Sequence, residues 1–92
     1  MNKMEDSPRY TVSNDVLTAH LEGEAVLLHL KTKRYFRLNE TGAAIWKGLE
    51  ERLSPDDIVA ILVKDFEVDA ATARAEVERV LGELRERDLL EP

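Results

Sequence analysis

Arg34-Tyr35-Phe36-Arg37-Leu38-Asn39-Glu40-Thr41-Gly42-Ala43-Ala44-Ile45-Trp46 is the stretch that decides the fold. Its opening, with two adjacent aromatics between arginines, has the composition of a short strand. Its close places Gly42, Ile45 and Trp46 at helical spacing. Asn39, between the two, is suited to cap the helix, because its side-chain oxygen can accept from an orphan N–H of the first turn. The segment therefore reads as a strand entering a helix with almost no loop. It carries no catalytic chemistry, which points toward binding.

Upstream of this junction the apolar pattern has period two, and downstream it has period three to four. Asn14-Asp15 is a turn signal, Val16 to Leu21 a strand, Glu22-Gly23 a two-residue hairpin turn, and Glu24 to Leu30 the partner strand. With Leu21 opposite Glu24, Ala19 faces Val26 and Leu17 faces Leu28. Leu17, Ala19, Leu21, Val26, Leu28 and Leu30 then share one side of the hairpin, the expected core face. The third strand, Arg34 to Leu38, follows the basic turn Lys31-Thr32-Lys33. A two-residue loop would turn Tyr35 and Arg37 into the core. A three-residue loop pairs Leu30 with Arg34, Leu28 with Phe36 and Val26 with Leu38, and this register is expected. It leaves Tyr35 and Arg37 on the other face and the third strand at an edge of the sheet.

Downstream, Gly42, Ile45, Trp46, Leu49 and Leu53 form an inward stripe. Ser54-Pro55-Asp56-Asp57 opens a second helix with a cap, a proline at the first helical position and acids against the macrodipole. Its stripe is Ile58, Ile61, Leu62 and Phe66. Asp69 caps a third, longer helix with Ala73, Val77, Val80, Leu81 and Leu84 inward, and Leu89 and Leu90 close the domain. Gly82 interrupts that helix at about 1 kcal/mol relative to alanine, either for a close backbone approach or as a tolerated residue. The expected fold is α+β and winged helix-turn-helix-like, a three-stranded antiparallel sheet followed by three helices. Residues 1–13 are expected to form a flexible N-terminal tail, its polar start neither signal peptide nor anchor, and residues 14–92 a single domain.

Ninety-two residues suffice for one core. A formal net charge of −6 argues against nucleic acid, whose non-specific affinity comes from lysine and arginine on phosphates. The absence of cysteine excludes disulfides and thiolate chemistry and suits a cytoplasmic location. No apolar run is long enough to span a bilayer, so no membrane partner is expected. His20 and His29 are far apart along their strands and read as ordinary, partly exposed strand residues rather than a metal site. Asp56-Asp57 reads as a helix cap rather than an acid–base pair. With no nucleophile elbow and no glycine-rich phosphate loop, neither enzyme activity, cofactor nor metal is expected.

Two binding roles remain besides peptide capture. A helical trio beside a small sheet is a common DNA reader, yet the third helix mixes Arg74, Arg79, Arg85 and Arg87 with Glu76, Glu78, Glu83, Glu86 and Asp88. Pairs such as Glu83 with Arg87 read as helix support. The edge strand could alternatively pair with a second copy or accept an extended peptide, or Arg34 and Arg37 could simply blunt it.

The pattern Tyr35-Phe36-x-Leu38-Asn39-x-x-Gly42-x-x-Ile45-Trp46, with Ser54-Pro55-x-x-Ile58, Val80-Leu81-x-x-Leu84 and Leu89-Leu90, resembles the PqqD family, the precursor-peptide recognition elements of ribosomally made, modified peptides. The resemblance covers roughly Val16 to Leu90. It implies a non-catalytic protein, or peptide chaperone, that binds the leader of a precursor peptide as an added strand between the third strand and the third helix. Carried over, Arg34, Tyr35, Phe36, Arg37 and Leu38 supply the ladder, and Ala73, Arg74, Val77, Glu78 and Leu81 line the opposite wall. The implied partner is a maturation enzyme. In lasso-peptide pathways, which the Gly42-to-Trp46 pattern favours, it is a cysteine protease of the transglutaminase-like type. In pyrroloquinoline quinone synthesis it is a radical-SAM enzyme.

Overall fold

The computed structural model describes residues 10–91. Strands β1 (Val16–Leu21), β2 (Glu24–His29) and β3 (Arg34–Leu38) precede helices α1 (Glu40–Glu50), α2 (Pro55–Phe66) and α3 (Ala70–Glu86). The sheet is antiparallel in the order β1-β2-β3, so β3 is an edge and the expected α+β arrangement holds. Asn39 alone separates β3 from α1, and its side chain accepts from the Gly42 N–H at 2.9 Å. Ser54 and Asp69 cap α2 and α3 in the same way, through Asp57 and Thr72. That hydrogen bond holds the exposed Asp69 carboxyl below the usual carboxylate range.

The first hairpin has the expected pairing, Leu21 with Glu24, Ala19 with Val26 and Leu17 with Leu28. Its turn uses positive φ at Glu22 and Gly23, as a two-residue hairpin turn requires. The faces, however, are opposite to those expected. Ala25, Leu27 and His29 point into the core, while Leu17 and Leu21 are 57% and 51% exposed. Counting apolar residues selected the wrong side because the inward polar groups are matched by tertiary partners. Trp46 Nε1 donates to Thr18 Oγ1 at 2.9 Å. His29, buried rather than partly exposed, has Nε2 3.1 Å from the Asp88 carbonyl oxygen, while Nδ1 accepts from the Lys31 N–H. Both contacts are met by the neutral Nε2–H tautomer.

The second correction follows from the first. The β2–β3 connection is four residues, not three, closed by the Lys33 N–H on the His29 carbonyl with Lys33 at positive φ. Leu27 therefore faces Phe36, and Ala25 faces Leu38. Phe36 and Leu38 still pack against the core, and Tyr35 and Arg37 still lie on the outer face.

Behind the sheet, Leu27, Ile45, Trp46, Leu49, Ile58, Leu62, Val77 and Leu89 are essentially inaccessible to solvent and form the centre of the core. α1 packs on β2, and α3 packs mainly on α2. Residues 10–13, placed by the sequence in the tail, are engaged by the domain. Val12 bridges Leu90, Ser13 N–H donates to the Leu89 carbonyl, and Arg85 lies over the Tyr10 ring. The rest of the expected tail, residues 1–9, lies outside the described residues.

Two helical glycines give opposite predictions. A Cβ on Gly48 would sit 2.7 Å from Cγ1 of buried Ile58, whereas one on Gly82 would meet nothing within 4 Å, so no close approach explains that glycine. Thermal unfolding should show Gly82→Ala stabilised by about 0.5–1 kcal/mol through helix propensity. Gly48→Ala should be destabilised by about 1–2 kcal/mol, overpacking against Ile58 outweighing the same propensity gain.

Candidate functional site

Among the described residues no strand pairs with the outer side of β3, and the hydrogen-bond parity identifies which groups it offers. Leu30 N–H donates to the Asp15 carbonyl at 2.7 Å, so along β2 the groups of Glu24, Val26 and Leu28 also point at β1. Those of Ala25, Leu27 and His29 point at β3, where they meet Leu38, Phe36 and Arg34. By alternation the N–H and C=O of Tyr35 and Arg37 point away from the sheet. Two residues thus offer donors and acceptors spaced as another strand would need them.

A groove of about 250 Å³ runs beside that edge, lined by Tyr35, Phe36, Arg37, Leu38, Glu83, Leu84, Arg87 and Leu89. The helical wall comes from the end of α3, not its beginning. Arg87 lies over the Phe36 ring, 5.2 Å from the centroid. Glu83 pairs with Arg79 at 3.1 Å, and Arg79 also holds Glu76, which raises the Arg79 pKa; the Glu83–Arg87 pair read from the sequence does not form. On the outer face Tyr35 is 70% exposed and Arg37 reaches Glu24 at 3.1 Å.

The expected residues therefore divide. Tyr35, Phe36, Arg37 and Leu38 meet at the groove, and Arg34 stands at the start of the same strand. Arg74, Val77, Glu78 and Leu81 instead line a separate hollow of about 190 Å³ with Tyr10, Ser54, Pro55 and Asp56, where Arg74 pairs with Asp56. Ala73 is core. Glu83, Leu84 and Arg87 were missed because Leu84 scores as a core position by spacing and the contact of Arg87 with the Phe36 ring joins residues distant in sequence. A larger, shallow hollow of about 700 Å³ lies near the β1–β2 turn, with His20 paired to Glu50 beside Lys47 and several acids. Of the strand residues only His20 and Glu24 line it. Among the described residues no group of histidines and carboxylates is placed to hold a metal, and no helix is long and apolar enough to cross a membrane.

The family model for coenzyme PQQ synthesis protein D (PqqD) matches residues 24–90. Among solved structures, TbiB1 in complex with the TbiA(beta) leader peptide is 38% identical, with a TM-score of 0.84 over 88% of this chain and 94% of that one. A lasso peptide synthetase B1 complexed with the leader peptide is 25% identical, with a TM-score of 0.83 over 92% of this chain and 100% of that one. No curated protein matches in sequence.

Proposed function

The chain belongs to the PqqD family, and on that premise we propose that it binds the leader segment of a ribosomally made precursor peptide as a fourth strand on β3. The observation that carries this reading is the outward backbone of Tyr35 and Arg37 beside a groove walled by α3. An extended peptide there gains main-chain hydrogen bonds from the edge and side-chain contacts from the groove. Side chains opposite Phe36 enter between Phe36, Leu84 and Arg87, and those opposite Tyr35 or Arg37 lie on the outer face. The chain itself performs no chemistry. It delivers the peptide to a maturation enzyme in the cytoplasm.

The likeness to the leader-bound lasso peptide synthetase B1 favours the lasso-peptide setting, with a transglutaminase-like cysteine protease as partner, over a radical-SAM enzyme of quinone cofactor synthesis. DNA reading is disfavoured because Arg74 and Arg79 of α3 are held by carboxylates. Titration with the leader of a precursor encoded beside this chain tests the assignment. Tyr35→Ala should weaken binding by about five- to thirtyfold, the range for loss of a well-placed aromatic, with thermal unfolding unchanged because Tyr35 is mostly exposed. Unchanged affinity with a normal melt would contradict the groove assignment.

A further inference from the structure

Arg87 has a choice of acidic neighbours in sequence, Glu83 one turn before it and Asp88 beside it, yet its guanidinium carbon lies over the Phe36 ring, 5.2 Å from the centroid. Glu83 is already taken by Arg79, and among the described residues neither Arg87 nor Arg34 has a carboxylate partner. A guanidinium held over a ring face by a cation–π contact keeps N–H donors that the ring does not satisfy. Arg87 lines the groove, and Arg34 lies two residues before Phe36 on the same face of β3. In a chain of net charge −6 this is a local cationic strip, placed where inward side chains of an added strand arrive.

We propose that Arg87 is a specificity-determining residue that reads a carboxylate on the bound peptide. An aspartate or glutamate on the inward face of the added strand, at or next to the position opposite Phe36, meets the guanidinium while its methylene groups pack on Leu84. Covering the groove removes water from the Arg87 cation, which raises the worth of that pairing above an exposed surface ion pair. The inference rests on strand addition at β3.

The probe is a fluorescently labelled synthetic leader from the adjacent precursor, together with its single Asp→Asn and Glu→Gln variants. One acidic position should account for a loss of about ten- to a hundredfold, comparable to a charge-assisted hydrogen bond. Arg87→Gln should lose the same factor against the parent leader and nothing further against the neutralised variant. Arg87→Glu should bind a leader with lysine at that position better than the parent leader. Melting curves of both variants establish that they are folded. Additive losses in the cycle, or tight binding by a leader without any carboxylate, would overturn the role of Arg87 while leaving the groove intact. Failure of the unaltered protein to bind the leader at all would overturn the underlying reading, and the role of Arg87 with it.

Discussion

Arg37→Pro is expected to lower leader affinity by about tenfold or more while the protein still folds. Proline deletes the Arg37 N–H, one of the outward donors, and puts its ring where the incoming strand must approach. A hydrogen bond to the peptide contributes about 0.5–1.5 kcal/mol, and the steric block adds to that loss. The fold tolerates the change because this N–H makes no bond to β2, and the Arg37–Glu24 ion pair that disappears is exposed and contributes little. Phe36→Pro is the control. It removes an inward N–H that pairs with Leu27 and a side chain packed on the core, so unfolding rather than affinity should change first. Isothermal titration and thermal melts on the two variants separate these outcomes. Equal affinity for Arg37→Pro and the parent would show that the peptide does not use this edge.

Trp46→Ala should cost about 3–5 kcal/mol of stability, a large share of the roughly 5–15 kcal/mol that holds an ordinary domain together. Trp46 is fully buried in the core cluster, and its indole N–H donates to Thr18, so the substitution leaves a cavity and deletes the bond that turns Thr18 inward. Thr18→Val isolates the second effect. It keeps the volume but strands the buried indole donor, for an expected loss of about 1–3 kcal/mol by urea unfolding. A neutral Thr18→Val would mean that this hydrogen bond does not set which hairpin face is inward.

That hairpin shows where the sequence stops being legible. Pairing within it was readable because Glu22-Gly23 fixes the register locally. The choice of face was not, since Leu17, Leu21 and Leu28 outweigh Thr18 and His29 on any apolar count. The deciding contacts, Trp46 to Thr18 and His29 to the Asp88 carbonyl, join residues far apart in sequence and exist only once the chain is folded. The helices were readable for the opposite reason. Asn39, Ser54 and Asp69 each cap through a residue three positions on, and the stripe Ala73, Val77, Val80, Leu81 and Leu84 is buried throughout.

The candidate site divides along the same line. Its strand side follows from β3 being last in the sheet and from Phe36 pointing inward, both visible as pattern. Its helix side depends on which end of α3 approaches β3. Spacing cannot settle that, because Leu81 and Leu84 occupy the same stripe while lining different hollows. The exposure of Leu17 and Leu21 on the outer sheet face is likewise a product of the inverted hairpin rather than of any local signal, whereas Tyr35 lies there as the pattern of β3 indicated.

Strand addition at β3 is tested most directly by amide hydrogen exchange, resolved residue by residue, in the free and leader-saturated protein. The Tyr35 and Arg37 amides should exchange rapidly when free and become strongly protected with leader bound, whereas Phe36, already bonded to β2, should be protected in both states. Tyr35 and Arg37 amides that keep their free rates at saturating leader would contradict the account, most plainly if protection arose instead around Arg74 and Val77.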